Sequence, residues 1–274
     1  QAPPDGAVHV LAIGKAAAAM TQGAMDAADD RLESGLVVTA EGYLSQAVIE
    51  EPRIACLEAA HPLPDERSLM AAERVVAYLD ALPPNDELLI LISGGASSLV
   101  EAPAEGVALA DLTQLHRDLL ARSWDIHQIN AVRSAVSTIK GGRLAAHLSG
   151  RPARMYLISD VPGDDPATIG SGLFVPGVPP SPLPDGLPDW VAAAADRVPA
   201  PPDANARAAA GLAWTILARN RDALEAAGDY ASHLGLDVEV HTEPLTGDAL
   251  RAGERVAEEL SRGPAGVQVW GGET

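Results

Sequence analysis

A short apolar run that ends in glycines is the feature that most restricts how this chain can fold. Residues 88–92 read Leu-Leu-Ile-Leu-Ile, and Ser-Gly-Gly-Ala-Ser-Ser follows at 93–98. The run is too short for a helix, and its lack of alternation is typical of a parallel strand buried on both faces. Ligands of open α/β sheets bind beyond the carboxyl ends of such strands, where glycines let backbone N–H groups approach an anion. We therefore expect a buried strand followed by a ligand-binding loop, although Gly-Gly also occurs in ordinary turns.

Apolar segments of strand length alternate with helical segments along the chain. We predict strands at 8–14, 36–39, 53–58, 88–92 and 155–159, and helices at 15–28, 66–82, 111–122 and after Asp125. This alternation indicates a three-layer α/β/α domain with a mainly parallel, Rossmann-like sheet over residues 1–175. The Pro-rich residues 176–203 are expected to form a linker or lid. Residues 204–274 are expected to begin a second, incomplete α/β domain.

Charge and composition exclude several classes of partner. The 274 residues include 19 Lys and Arg against 38 Asp and Glu, which gives a net charge of -19. Nucleic acids and anionic membranes are bound through basic patches, so neither is expected as a partner. No apolar run is long enough to span a bilayer, and a single cysteine, Cys56, excludes an intramolecular disulfide. We expect a soluble cytoplasmic protein.

The two lysines of the chain, Lys15 and Lys140, each adjoin a glycine. Arginine supplies every other basic side chain, so a retained lysine indicates a place for a compact point charge. Lys15 follows the first predicted strand and precedes a helix, a position that suits anion binding at least as well as an exposed helix start. The Gly14-Lys15 pair is not a Walker A loop, because the earlier glycine and the following Ser or Thr are absent.

A polar stripe borders the apolar face of the helix predicted after Asp125. At 100° per residue, the apolar face consists of Ile129, Val132, Val136 and Ile139, and the stripe of Asn130, Arg133, Ser137 and Lys140. Such a stripe indicates either a helix that lines a cleft or a solvent-covered boundary.

Three carboxylates follow the strand predicted at 155–159. Asp160, Asp164 and Asp165 lie in a turn with two prolines and a glycine. Neighbouring carboxylates repel one another unless a cation neutralises them, and their hard oxygens suit Mg²⁺. A Mg²⁺ site and a plain acidic turn are the two interpretations.

Taken together, several motifs resemble the glycerate 2-kinase family of the MOFRL-containing type, also known under the name hydroxypyruvate reductase. The motifs, in chain order, are Ile-Gly-Lys-Ala-Ala at 13–17, His-Pro-Leu-Pro-Asp at 61–65, Ser-Gly-Gly-Ala-Ser at 93–97, Ile-Asn-Ala-Val-Arg at 129–133, Ser-Thr-Ile-Lys-Gly-Gly-Arg-Leu-Ala at 137–145, residues 159–172, Asn-Arg-Asp-Ala-Leu-Glu at 220–225 and Gly-Gly-Glu-Thr at 271–274. The resemblance implies two α/β domains and ATP- and Mg²⁺-dependent phosphorylation of D-glycerate to 2-phosphoglycerate.

The sequence departs from the family in three places. Ala96 replaces a loop glycine, and Leu173-Phe174 replaces Pro-Thr. The family also continues beyond Gly-Gly-Glu-Thr, so we expect the C-terminal domain to be incomplete here and these residues alone to be inactive.

The resemblance also implies roles for the residues singled out above. Lys15 would stabilise the transferring phosphoryl group, and Lys140 with Arg133 would hold the glycerate carboxylate or phosphate oxygens. Phosphates would be bound by the loop Ser93, Gly94, Gly95, Ala96 and Ser97, together with Asn130. Asp160 with Asp164 or Asp165 would hold Mg²⁺ or accept the hydroxyl proton. Oligomeric state stays open.

Three alternatives are weighed against this hypothesis. A nicotinamide-dependent hydroxypyruvate reductase needs a dinucleotide loop, but Gly170-Ser171-Gly172 has Val175 in place of the third glycine. A serine hydrolase needs a nucleophile elbow, and the sequence around Ser97 lacks its second glycine. A non-catalytic fragment that binds a nucleotide or sugar acid is the alternative outside enzymes.

Overall fold

The structure divides into two compact units. It is a computed structural model that describes residues 6–122, 124–175, 182–202, 212–263 and 266–273. The first unit comprises Gln1–Leu157 with Pro166–Thr215, and the second comprises Ile158–Asp165 with Ile216–Thr274. These units differ from the expected boundaries at 175 and 204, because the acidic turn belongs to the second unit and residues 166–215 belong to the first.

A six-stranded sheet forms the centre of the fold. Its strands are β1 (Val8–Ile13), β2 (Leu32–Ala40), β3 (Ile54–Ala59), β4 (Glu87–Ile92), β5 (Ala153–Ile158) and β6 (Leu212–Ala218). Their order is β3-β2-β1-β4-β5-β6, and the first five are parallel to their neighbours. This order is that of the doubly wound dinucleotide-binding sheet, whose direction of winding reverses between β1 and β4. The predicted α/β class with a mainly parallel sheet is confirmed.

The two central strands explain the uninterrupted apolar run in the sequence. Every residue of β1 and of β4 is buried, since each strand has a neighbour on both sides and helices over both faces. A strand in this position has no solvent-facing side, and alternation of polar and apolar residues is therefore absent.

Seven helices and three short 3₁₀ segments are described in the first unit. The helices are α1 (Ala17–Ala28), α2 (Gln46–Ile49), α3 (Glu66–Ala81), α4 (Ala96–Leu99), α5 (Leu109–Ala121), α6 (Ile126–Ala135) and α7 (Asp189–Ala195), and the 3₁₀ segments are Asp29–Arg31, Arg143–Leu148 and Ile169–Gly172. Asp65 caps α3 by accepting hydrogen bonds from the N–H groups of Arg67 and Ser68. Asp125 caps α6 through the N–H of Gln128. A carboxylate at either position satisfies donors that the first helical turn leaves unpaired.

The helices cover both faces of the sheet. The alanines of α1 pack against Val10 and Ala12 of β1. On the opposite face, Tyr78 of α3 hydrogen-bonds to Ser34 of β2 over 3.0 Å, and Ser34 in turn contacts His9 over 2.8 Å. The three-layer arrangement expected from the sequence is therefore observed.

A separate apolar cluster joins α5, α6 and α7. Leu112 and Leu115 of α5 and Val132 of α6 pack with Val191 and Ala194 of α7, and all are buried. This cluster includes residues of the expected linker or lid at 176–203. Residues 182–202 are packed onto the first unit, and residues 176–181 and 203 lie outside the described residues.

The helix α6 ends earlier than its sequence pattern predicts. Its last residue is Ala135, after which Ser137 forms an antiparallel bridge with Pro103, and the N–H of Thr138 donates to the carbonyl of Ala102 over 2.7 Å. Ser137 and Lys140 therefore do not extend the polar stripe of Asn130 and Arg133. The backbone pairing with residues 102–104 supplies hydrogen bonds that compete with continuation of the helix.

The described residues of the second unit form two helices and two short strands besides its part of β6. They are α8 (Asn220–His233), β7 (Val238–Val240), α9 (Ala249–Arg262) and β8 (Val267–Val269), with β7 parallel to β8. The rings of His241 and Trp270 stack with their centres 4.3 Å apart. In neither unit does a described helix have the length and hydrophobicity needed to cross a membrane.

Candidate anion site at the sheet edge

The loops that follow β1 and β4 are bound to each other where the sheet changes its direction of winding. The N–H of Lys15 donates to the carbonyl of Gly94 over 2.9 Å, and the N–H of Ala16 donates to Oγ of Ser93 over 3.0 Å. Gly14 has a φ of +134°, and a Cβ atom on it would lie 2.2 Å from Oγ of Ser93. Glycine at position 14 thus permits the two loops to approach at the point where nucleotides bind in sheets of this order.

The side chain of Lys15 lies over Gly95 and beside His61. A Cβ atom on Gly95 would lie 3.1 Å from Cε of Lys15 and 2.9 Å from Cδ2 of His61. Within the described residues, the Lys15 ammonium has no ion pair and no side-chain hydrogen bond. It is therefore a compact charge that an anion can approach. His61 follows β3 in a Pro-rich turn, and its sequence motif gave no sign that it meets Lys15.

Two of the backbone amides predicted to bind phosphate are unpaired. The N–H groups of Gly94 and Gly95 have no hydrogen-bond partner in the described part of the chain. The N–H of Ala96 is directed back to the carbonyl of Ser93, at 3.4 Å. Unpaired amides near a lysine are the kind of donors that bind anions, so Gly94, Gly95 and Lys15 form the candidate anion site of this edge.

A chain of side-chain hydrogen bonds holds the far end of this loop. Oγ of Ser97 lies 2.7 Å from Oγ of Ser171, which donates to Oδ1 of Asn130 over 2.7 Å. The amide nitrogen of Asn130 donates to the carbonyl of Thr168 over 3.1 Å. Because the hydroxyl proton of Ser171 is directed to Asn130, Ser97 is the donor to Ser171. Ser97 and Asn130 are thus brought together, as predicted members of one site, by Ser171.

Lys140 does not face a cleft, and the structure corrects its predicted role as a clamp for glycerate. Its side chain is fully buried, its ammonium is bound by the carboxylate of Glu101, and it also donates to the carbonyl of Val100 over 3.3 Å. Burial is the main cause that lowers the pKa of Lys140, and Glu101 opposes the shift. Glu101 carried no recognisable signal in the sequence, because it lies in an irregular segment 39 residues from its partner.

His116 and Arg133 complete the surroundings of Glu101. Nε2 of His116 lies 3.6 Å from a carboxylate oxygen of Glu101, and burial lowers the pKa of His116 to about 2, with the charges of Arg133 and Lys140 adding to the effect. Burial also lowers the pKa of Arg133, against the attraction of Glu101. Nε of Arg133 is buried without a hydrogen-bond partner in the described residues. Arg133 lies one helical turn after Asn130, so both side chains are on the same side of α6.

The three predicted metal ligands belong to the second unit. Asp164 has a φ of +53°, and its carboxylate lies 3.4 Å from Nε of Arg219. Asp160 and Asp165 are exposed, and Asp164 is partly exposed. Nowhere in the described part of the chain do three or more His, Cys, Asp or Glu side chains converge on one point. Carboxylate oxygens are the kind of ligand that Mg²⁺ takes, so the Mg²⁺ site at Asp160, Asp164 and Asp165 stays a prediction.

A cavity of about 300 Å³ adjoins Lys15. It lies at the carboxyl ends of β1, β2 and β3, and its polar lining residues are Lys15, Glu41, Tyr43, His61 and Arg67. Three alanines, Ala40, Ala59 and Ala60, supply the rest of the lining. Of the polar lining residues, only Lys15 and His61 lie in the motifs quoted above, and those motifs predicted a role for Lys15 alone.

Comparison with known proteins gives one family. Residues 1–182 match the family model described as "Domain of unknown function (DUF4147)". The chain is 44% identical over 168 residues to the "Glycerate 2-kinase" of Pyrococcus horikoshii, a match that covers 61% of this chain and 36% of the relative. It is 46% identical over 167 residues to a "Putative hydroxypyruvate reductase" of Agrobacterium vitis, covering 60% of this chain and 41% of that protein.

Two solved structures are similar to the whole chain. The PH0495 protein of Pyrococcus horikoshii has a TM-score of 0.66 at 33% identity, and the similarity covers 98% of this chain and 65% of that one. The glycerate kinase of Thermotoga maritima has a TM-score of 0.69 at 28% identity, covering 99% and 67%. The sequence matches span only about two fifths of the length of the relatives named above.

Proposed function

The chain belongs to the DUF4147 family, and from this membership we propose that it acts as a glycerate 2-kinase, transferring the γ-phosphoryl group of ATP to the 2-hydroxyl of D-glycerate. The names of several relatives, including the D-glycerate 2-kinase of Thermotoga maritima at 39% identity over 165 residues, support the proposal. The observation that carries it is the unpaired ammonium of Lys15 beside the free amides of Gly94 and Gly95.

Phosphoryl transfer requires this kind of site. The transferring group spreads negative charge over its oxygens, and catalysis consists mainly of positioning and charge stabilisation. We assign Lys15 to the oxygens of the transferring phosphoryl group and the amides of Gly94 and Gly95 to neighbouring phosphate oxygens. These donors are held in place before the reaction, because both loops are bound to each other through Ser93, so little reorganisation opposes the reaction.

We assign the glycerate carboxylate to Arg133. In the described residues its guanidinium has no carboxylate within ion-pair distance, although Glu101 is near enough to affect it. A planar guanidinium binds a carboxylate through two parallel hydrogen bonds. Lys140 is left out of this assignment, because its charge is neutralised by Glu101.

We further propose that the reaction uses Mg²⁺, with Asp160 and either Asp164 or Asp165 as its protein ligands. When bound, the ion would neutralise phosphate charge. Its test is nucleotide binding: removal of Mg²⁺ with a chelator is expected to weaken ATP binding, and Asp160→Asn is expected to abolish that difference. Equal ATP affinity with and without Mg²⁺ would contradict the metal assignment.

The kinase is tested with the full-length protein, ATP and D-glycerate. Release of ADP is followed by a coupled assay, and phosphorus NMR identifies the position of the new phosphate ester. Lys15→Met should lower kcat by about 10²–10³, the usual effect of removing one donor to a developing charge. Arg74→Met is the matched control, since Arg74 is an exposed cation of the same unit. Wild-type turnover in Lys15→Met would remove Lys15 from the mechanism.

A nicotinamide-dependent hydroxypyruvate reductase is the second candidate. The strand order of the sheet and the names of two relatives favour it. The sequence lacks the Gly-x-Gly-x-x-Gly loop that binds a dinucleotide pyrophosphate. If the protein oxidises NADH with hydroxypyruvate and does not phosphorylate D-glycerate with ATP, the reductase hypothesis would be supported and the kinase hypothesis would be wrong.

A further inference from the structure

The cavity beside Lys15 carries opposite charges at its two polar sides. Lys15 follows β1 and supplies an unpaired cation. Glu41 follows the last residue of β2, and its carboxylate is largely exposed. A ligand of this cavity therefore has an anionic group near Lys15 and neutral hydrogen-bond donors near Glu41.

Arg67 is not available to a ligand anion. Its Nε donates to a carboxylate oxygen of Asp65 over 2.9 Å, and Nη1 donates to Oε2 of Glu41 over 3.2 Å. Two carboxylates thus share one guanidinium. The effect of Arg67 is to fix the position of the Glu41 carboxylate, which keeps acceptor capacity for further hydrogen bonds.

The remaining lining residues suit a flat group. Tyr43 is half-exposed at the cavity, and Ala40, Ala59 and Ala60 add small apolar surfaces. Aromatic rings bind planar ligands by offset stacking. A volume of about 300 Å³ is at the lower end of the range for ligand sites, enough for a nucleoside whose phosphates extend past Lys15.

The position of Glu41 agrees with the sheet order. In the dinucleotide-binding proteins with this sheet order, an acidic residue about 20 positions after the first strand's glycine-rich turn hydrogen-bonds a ribose hydroxyl. Glu41 directly follows β2, and the anion site follows β1. We propose that this cavity binds the nucleoside part of the phosphoryl donor, with Glu41 accepting from the ribose hydroxyls and Tyr43 packing on the base. The proposal rests on the proposed kinase function.

The test measures binding and does not depend on turnover. Calorimetry with the full-length protein compares ADP with 2′,3′-dideoxy-ADP, which lacks the ribose hydroxyls. Hydrogen bonds to a charged acceptor predict that the wild type binds ADP about ten- to a hundredfold more tightly. Glu41→Ala should reduce that ratio to about one, whereas Glu73→Ala, which removes an exposed carboxylate from α3, should preserve it. Tyr43→Ala should weaken binding of both ligands, and Tyr43→Phe should not.

The outcomes separate this proposal from the proposed function. If D-glycerate is phosphorylated but Glu41→Ala keeps the preference for ADP, the ribose site is overturned and the kinase stands. If Glu41→Ala removes the preference but no D-glycerate is phosphorylated, the ribose site is supported and the kinase fails. If the wild type does not distinguish the two ligands, or binds neither, the ribose site is overturned.

Discussion

The ammonium of Lys140 and the carboxylate of Glu101 form an ion pair in which neither side chain has any exposure to solvent. Lys140 directly precedes the turn of Gly141 and Gly142, whose N–H groups donate to the carbonyls of Ser171 and Gly172 over 3.0 and 2.7 Å. Ser171 in turn holds Asn130 and Ser97. The buried pair is therefore connected to the candidate anion-binding loop through the backbone hydrogen bond of Gly141 to Ser171 and the side-chain hydrogen bond of Ser171 to Ser97.

Replacing Lys140 with methionine should destabilise the first unit strongly. The variant leaves Glu101 buried beside a neutral His116 and without its bound cation. Breaking a buried pair by removing one partner typically costs about 3–5 kcal/mol of unfolding free energy. Urea denaturation followed by circular dichroism measures the loss.

Two variants control this measurement. Lys15→Met removes the other lysine, which is unpaired among the described residues, and should change the unfolding free energy by no more than about 0.5 kcal/mol. The double variant Lys140→Met with Glu101→Leu should regain most of the loss, because apolar replacement of a buried pair is often neutral. Wild-type stability in Lys140→Met would mean that the pair contributes nothing.

Local sequence patterns were sufficient for most of the fold. The buried strand β4 and the caps Asp65 and Asp125 follow from short-range rules of burial and hydrogen bonding. The end of α6 does not follow from such rules. The helical pattern of the sequence continues through Ile139, but backbone hydrogen bonds to residues 102–104 end the helix at Ala135. That competition involves residues about 35 positions apart along the chain and leaves no local trace.

The candidate site likewise has one residue that a local pattern indicates and others that only the fold brings together. Lys15 was identified by its place between a strand and a helix, and that place is local. His61, Glu41, Tyr43 and Arg67 meet Lys15 only because the strand order puts the ends of β1, β2 and β3 side by side. The predicted role of Lys140 shows the limit of local patterns. Its partner Glu101 is distant in sequence, so no local pattern indicates the ion pair that reduces the availability of Lys140 to a ligand.

His116 should make stability depend on pH below neutrality. Its pKa is about 2 in the folded protein, because it is buried near Arg133 and Lys140, and its ordinary value is 6.5. Between these values the unfolded chain binds one more proton than the folded protein, so stability falls as pH decreases through about 6.5. The contribution is about 1.4 kcal/mol per pH unit once the unfolded histidine is fully protonated. Urea midpoints of the wild type and His116→Gln at several values between about pH 4.5 and 7 measure it, and equal slopes would contradict the assignment.

Asn130 should be required for the position of the candidate anion-binding loop, residues 93–97. Asn130→Ala removes the acceptor of the Ser171 hydroxyl and the donor to the carbonyl of Thr168. The loss of these partly buried bonds should cost about 1–3 kcal/mol of unfolding free energy and raise KM for the nucleotide. His127→Ala, an exposed change on the same helix, should leave both quantities unchanged. An unaltered KM in Asn130→Ala, measured with the coupled ADP assay, would show that the network does not position the loop.

Gly95→Ala should lower turnover in addition to straining the backbone. Gly95 has a φ of +86°, and the added Cβ would lie 2.9 Å from the ring of His61 and 3.1 Å from Cε of Lys15. Gly106 has a similar φ of +79°, but a Cβ there would meet no atom within 4 Å. Both variants should lose about 1–2 kcal/mol through backbone strain, because alanine is disfavoured at positive φ. Only Gly95→Ala should also move the Lys15 ammonium, and a displacement of about 1 Å near the reacting atoms lowers turnover by about a hundredfold. Denaturation and coupled kinase assays on both variants separate the loss of stability from the loss of turnover. Equal turnover in the two variants would mean that the space beside Gly95 is not needed to position Lys15 and His61.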